Sequence, residues 1–336
     1  MNWQEFEQRF PIQLNTQQKE AVQSVDGPVL LLAVPGSGKT TVLVTRLGYM
    51  VYCKGIDPSK ILTVTYTVAA TKDMAKRFAG YFGNDMAERL EFRTINGICA
   101  KIIQYYGKMV GRTAFELVRD EKMTAGLLSK IYQQVQHEFA TESDLKNVRT
   151  LITYIKNMML SEEEILKLDE KEEMKISVIY KEYCRQLREH HLMDYDDQMI
   201  YAKTILENYP DILAYFQDAF PYICVDEAQD TSKIQHAIIQ LLARKTGNLF
   251  MVGDEDQSIY GFRAAYPDAL MQFEQTYPKA RVLLMEENYR STPEILHLAN
   301  GFIRKNTDRR PKTVRPTRVS GANVHLISAA DRTAQY

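Results

Sequence analysis

The chain has 336 residues, 45% of them apolar and 25% charged, which suits an ordinary globular protein of about two packed domains. A formal net charge of -1 excludes a globally basic coat, so any polyanion must be met by a local groove. Cys53, Cys99, Cys184 and Cys224 have neither zinc-ligand nor redox-motif spacing, and no apolar run is long enough for a signal peptide or a membrane span. The expectation is a cytoplasmic protein with reduced thiols.

In chain order, short apolar runs at Val29–Ala33, 61–66, Tyr222–Val225, 249–252 and 282–285 end abruptly in polar, acidic or glycine-containing loops. Four to six residues with β-branched content suit strands buried on both faces, as in parallel sheets. Helical patterns follow most of them, for example 41–51 and 234–243. Strand, loop and helix in repetition predict a doubly wound α/β domain, with its chemistry at the carboxyl ends of the strands. Between them, residues 105–190 are rich in Glu, Lys, Gln, Leu and Met, with apolar residues at helical spacing over 122–138 and 162–189. This predicts an all-helical insertion. The expected division is 1–104 for the first part of the core, 105–190 for the insertion, 191–286 for the second part of the core, and 287–336 for the opening of another domain. A basic run (Arg304, Lys305, Arg309, Arg310, Lys312, Arg315 and Arg318) reads as a solvated face, and 324–328 as one more strand.

Three sites carry chemistry. Ala33-Val34-Pro35-Gly36-Ser37-Gly38-Lys39-Thr40 lies between a strand and a helix and has the form of a Walker A loop. Small residues there let backbone N–H groups cradle phosphate at a helix N-terminus. Lys39 would neutralise the β- and γ-phosphates, and Thr40 would help to hold Mg²⁺. Asp226 and Glu227 close the strand Tyr222–Val225, where two carboxylates are costly unless something cationic sits beside them. Asp226 would hold Mg²⁺, and Glu227 would orient and deprotonate an attacking water. Gln257 follows a strand that should neighbour the acidic one, within reach of a γ-phosphate. Tyr260, Phe262 and Arg263 then offer two aromatics beside a cation, which serve either as core packing or as a platform for single-stranded bases. The pair His190-His191 before Asp194-Tyr195-Asp196-Asp197 is a weak metal candidate.

The ensemble resembles the superfamily 1 DNA helicases of the UvrD/Rep/PcrA type. Leu14-Asn15-Thr16-Gln17-Gln18 is similar to that family's adenine-reading element, Asp226-Glu-Ala-Gln-Asp230 to its DE.QD box, and Gly253-Asp-Glu-Asp-Gln257-Ser-Ile-Tyr260 to its GD.DQSIY box. Glu287-Asn288-Tyr289-Arg290-Ser291 resembles the NYRS box. The resemblance implies a RecA-like P-loop NTPase sheet, ATP with Mg²⁺ as cofactor, and single-stranded DNA or single/double-strand junctions as partner. It further implies 3′→5′ movement in DNA repair or replication restart. Gln18 and Tyr289 would hold adenine, Arg290 would reach the γ-phosphate, and Lys39, Glu227, Gln257 and Arg290 would make up the catalytic set. Ala33, Gly36, Ser37, Gly38, Thr40 and Thr41 would line the nucleotide. Tyr66, Thr94, Tyr260, Phe262 and Arg263 would meet DNA.

Departures from the pattern bear on both ligands. Thr41 stands where the family commonly has an Arg against the base, and Thr65-Tyr66-Thr67-Val68-Ala69-Ala70 replaces its TFTNKAA-like element. Thr94-Ile95-Asn96-Gly97 lacks the family's His, and Phe262 replaces a Trp. The family's second RecA-like domain supplies an arginine across the cleft, and only its opening is expected here. Such an arginine contributes about 10³–10⁵ in rate in related phosphoryl-transfer enzymes. Two rival readings are a nucleotide- and DNA-binding module without turnover, and another P-loop enzyme such as a small-molecule kinase.

Overall fold

The computed structural model describes residues 1–111, 113–259, 261, 264–307, 309–325 and 327–328. Its strands are β1 (Val29–Ala33), β2 (Ile61–Thr65), β3 (Glu91–Thr94), β4 (Glu116–Leu117), β5 (Leu192–Met193), β6 (Tyr222–Val225), β7 (Leu249–Gly253), β8 (Arg281–Met285), β9 (Glu287–Asn288) and β10 (Arg315–Pro316). Six of them form one parallel sheet in the order β3-β2-β6-β7-β1-β8. All five expected runs are strands of this sheet. The sixth, β3, escapes an apolar-run search because its residues Glu-Phe-Arg-Thr are only partly buried.

The two-residue period of a strand sends alternate side chains to opposite faces. Leu30, Leu32, Leu62, Val64, Ile223, Val225, Leu249 and Met251 enter one core, with the helices Ile95–Val110, Tyr195–Asn208 and Lys233–Ala243. Val29, Leu31, Ala33, Ile61, Cys224, Phe250 and Val252 enter the other, beneath the helices Thr16–Gln23, Lys39–Tyr52 and Val68–Phe82. All carboxyl ends therefore face one edge of the sheet. Asp226, Gly36 and Asp254 follow β6, β1 and β7, the three adjacent central strands.

The helical insertion has its own core of Leu128, Ile131, Val148, Leu151, Ile155, Ile176, Ile179 and Leu187. Its limits differ from those expected. The helix Ile95–Val110 runs through the 104/105 boundary and buries Ile102 and Ile103 against the sheet. The chain leaves the core at β4 and returns at β5, which pair in parallel, so we place the insertion between these two strands. The segment 162–189 is two helices, Glu162–Glu172 and Ile176–Glu189, because Glu173 takes the left-handed conformation at φ +50° and ends the first.

One buried cation ties the insertion to the core. The Lys156 side chain is fully covered, with Nζ 2.7 Å from Asp194 and 2.7 Å from Asp197. Asp194 also caps the helix Tyr195–Asn208 in a reciprocal box with Asp197. Asp196 accepts from Thr153 Oγ1 (2.9 Å) and Asn157 Nδ2 (2.7 Å) of the insertion. These aspartates serve the junction, and among the described residues no group of three or more His, Cys, Asp or Glu is placed to hold a metal ion.

After β8 the chain forms β9, the helix Pro293–Ile303 and β10, which pairs in parallel with β9. The described residues of 324–328 make no strand. The basic run is not a solvated face throughout: Arg309, Arg310, Lys312 and Arg315 meet Asp256, Glu274, the 254–256 carboxylates and Glu286, respectively. A run of charge in sequence does not reveal acids that the fold brings from elsewhere. Among the described residues no helix is long and apolar enough to cross a membrane.

Burial, followed by the charge of Asp194, pushes the Asp196 carboxyl up to about 6. A folded-state pKa above the unfolded value means that ionisation opposes folding: stability is fully present below about pH 4 and falls as pH rises through 6. Asp196→Asn should therefore raise the melting temperature at pH 8, by an equivalent of about 1–2 kcal/mol after allowance for partial solvent screening. Melting curves from pH 4 to 8 should show the gain disappearing at the acid end.

Candidate nucleotide-binding site

The loop after β1 is shaped by two glycines. Gly36 has φ +69°, and a Cβ there would lie 2.8 Å from Arg290 Cβ and 3.0 Å from Asn288 Nδ2. Gly38, at φ +86°, begins the helix Lys39–Tyr52 without a side-chain cap. The first N–H groups of that helix are thus left for an acceptor, and the buried Ser37 Oγ has no partner among the described residues. A concave loop with unspent donors at a helix N-terminus is suited to phosphate. Ala33 is the last residue of β1 and wholly buried, so it shapes the approach without facing the loop.

Two distant segments hold this loop. Gln18 Nε2 donates to Ser37 O (2.9 Å), while Gln18 Oε1 accepts from Asn15 N–H (2.9 Å). Asn288 Nδ2 donates to Pro35 O (2.5 Å), and Tyr289 N–H to Gly36 O (3.0 Å). The Tyr289 hydroxyl donates to Glu287 (2.6 Å) and accepts from Asn15 Nδ2 (2.8 Å), which leaves its half-exposed ring beside the loop. Arg290 is exposed next to Gly36. The adenine-element and NYRS-like residues thus meet at the phosphate loop. Asn288, which carries much of this contact, was not singled out by sequence, although its place inside the box was the available signal.

Lys39 Nζ lies 2.7 Å from Glu227 Oε2, and Gln229 Nε2 donates to the same oxygen at 2.8 Å. Glu227 has φ +48°, a costly conformation for a residue with a side chain, and it aims the carboxylate at the loop. Burial, then the Glu227 charge, pushes the Asp226 carboxyl up to about 6, with Lys39 opposing. A buried acid with too little positive charge around it, one strand from Thr40, fits a hard divalent cation such as Mg²⁺. Gln257 follows β7, which does lie beside β6, and its Nε2 donates to Asp254 Oδ2 at 2.7 Å.

A cleft of about 470 Å³ opens on the insertion side of the same strand ends. Tyr66 and Thr94 line it with Asn96, Tyr195, Asp196 and Asp226. Tyr66 is exposed, while the Thr94 hydroxyl accepts from Gly97 N–H as a helix cap. Thr153 and Asn157 of the insertion, and Tyr195 at the start of the helix Tyr195–Asn208, were not foreseen as cleft residues, because only folding brings these segments together there. Tyr260, Phe262 and Arg263 lie outside the described residues.

Comparison with known proteins gives a consistent picture. The UvrD/REP helicase N-terminal domain family matches residues 14–278. The ATP-dependent DNA helicase PcrA of Staphylococcus aureus (strain Mu50) is 34% identical over 319 residues, covering 94% of this chain and 43% of that protein. Its namesake from Leuconostoc citreum is 34% identical over 300 residues, covering 89% and 40%. The chain spans less than half the length of these curated relatives. On the match over 14–278, the chain belongs to the UvrD/REP helicase family through its N-terminal domain.

Proposed function

We propose that this chain is the nucleotide-binding part of a DNA-dependent ATPase motor, an ATP-dependent 3′→5′ helicase or translocase that works on single-stranded DNA and junctions in the cytoplasm. The observation that carries it is the gathering of Lys39, Glu227, Asp226 and Gln257 at adjacent strand ends, with a cleft lined in part by Asp226 opening on the insertion side of those ends. One set of loops then touches both ligands, which suits a motor better than a small-molecule kinase.

Lys39 holds the phosphates and Glu227 accepts the proton of the attacking water. In the structure Lys39 and Gln229 both hold Glu227 Oε2. A triphosphate that draws Lys39 away frees it. Thr40 and Asp226 would hold Mg²⁺, which would offset phosphate charge when bound. Gln257 and Arg290 stand ready for the γ-phosphate, and Tyr289 for adenine. The helix Pro293–Ile303 exposes Ile295, Leu298 and Phe302 as a stripe, a face suited to a second motor domain. That stripe favours the further reading that this chain by itself binds nucleotide without unwinding duplex. Processive strand separation by the purified 336-residue chain would overturn it.

DNA-stimulated ATP hydrolysis in the full natural chain tests the main reading, since a binding module and a kinase would both lack it. Lys39→Ala should weaken Mg-ATP binding. Glu227→Gln should leave binding intact or tighter, because Lys39 loses its carboxylate competitor, while hydrolysis falls about 10²- to 10⁴-fold. Equal loss of binding in both variants would remove Glu227 as the base. For the platform, Phe262→Ala should cost about 1–3 kcal/mol of single-strand affinity at fixed salt with little change in melting temperature, and Phe262→Trp should hold or raise affinity. Loss of stability in place of affinity would make Phe262 a packing residue.

A further inference from the structure

The loop that carries Gln257 is held from outside its own strand. Lys312, whose side chain is 1% exposed, places Nζ 2.9 Å from Asp254 Oδ1, 2.6 Å from Glu255 Oε1 and 2.9 Å from Asp256 Oδ2. Arg309 adds a two-pronged contact to Asp256, with Nε 2.8 Å from Oδ1 and Nη2 2.5 Å from Oδ2. Arg310 N–H donates to Glu255 Oε1 at 3.0 Å. Burial disfavours the Lys312 charge, yet Asp254 and its two neighbours hold the ammonium above its usual range. Three successive carboxylates at the end of β7 could not be tolerated at this depth without these cations.

The contacts continue inward. Asp254 gives its second oxygen to Gln257 Nε2 (2.7 Å), and its N–H donates to Gln229 Oε1 (3.1 Å). Gln229 Nε2 in turn donates to Glu227 Oε2 (2.8 Å). An unbroken path therefore runs from Lys312 through Asp254 to Gln257, and through Gln229 to Glu227. Lys312 follows the helix Pro293–Ile303, which bears the exposed Ile295, Leu298 and Phe302.

We propose that Lys312, assisted by Arg309, is a positioning residue that clamps the loop 254–257 and so sets Gln257 and Glu227 for hydrolysis. This deepens the function proposed above and rests on it. The clamp belongs to the segment that carries the unpartnered stripe, so a load on that stripe is mechanically joined to the phosphate-sensing loop. Neither Lys312 nor Arg309 touches the nucleotide loop, so their effect falls on turnover and not on binding.

The test compares the full natural chain with its Lys312→Met and Lys312→Arg forms. In the nucleotide-free protein, Lys312→Met should speed amide hydrogen exchange over 253–258 by about tenfold or more, leaving 34–40 unchanged. In steady state, kcat for DNA-stimulated ATP hydrolysis should fall roughly 10- to 100-fold, while the Kd for Mg-ATP stays within about twofold. Lys312→Arg should recover part of the loss. In a Gln257→Ala background, Lys312→Met should cost less than it does alone, because the Gln257 arm of the path is already gone and only the Glu227 arm remains. Unchanged exchange in the loop, or losses that multiply in the double variant, would overturn the clamp. Should Lys312→Met fail to fold, Arg309→Gln removes one pairing only and is read by the same two measurements. A parent without hydrolysis would sink the proposed function, and the exchange comparison would still decide the clamp.

Discussion

The contact between Lys39 and Glu227 is the point on which the site turns. It joins the loop after β1 to the loop after β6, and it exists because β7 alone separates those strands in a parallel sheet. Each partner sits where a buried strand ends, so neither charge is fully hydrated. The pair satisfies both ions. On the proposed function, it also makes the loop after β1 and the Glu227 carboxylate rivals for one ammonium, a competition that a triphosphate would shift. Burial, then the Glu227 charge, raises the Asp226 pKa at the same place, with Lys39 opposing, and the proposed Mg²⁺ would offset that excess of negative charge.

Around that contact the protein solves the same problem twice more with buried lysines. Lys156 neutralises Asp194 and Asp197 where the insertion meets the core, and Lys312 neutralises Asp254, Glu255 and Asp256 at the end of β7. Buried ion pairs add little net stability, but removing one partner leaves an uncompensated charge and costs about 3–5 kcal/mol. Such pairs fix arrangement more than they add strength. Here they fix a helical insertion and the loop 254–257 to the carboxyl edge of the sheet.

Much of this was legible in the sequence, for physical reasons. Buried parallel strands must be short, continuous and apolar, so the runs at Val29–Ala33 and Tyr222–Val225 marked their own limits. A phosphate loop needs glycine where a Cβ would strike a neighbour, and Gly36 meets Arg290 and Asn288 there. Carboxylates flush with a strand end announce a cation. The sequence therefore determined the sheet, its doubly wound character and which residues gather in the candidate nucleotide-binding corner, because each of those depends on local pattern.

The tertiary structure decided what depends on partners distant in the chain. β3 carries no apolar run because its residues are only partly buried, whereas the other edge strand, β8, keeps one. Glu173 ends a helix whose periodicity continues past it, because a single left-handed residue leaves no mark on spacing. Thr153 and Asn157 line the cleft only because Lys156 docks the insertion there. Lys312 read as one solvated charge among several until the fold set three carboxylates around it. Charge is visible in a sequence, but its compensation is not: burial and pairing are properties of position in space, and folding alone assigns them.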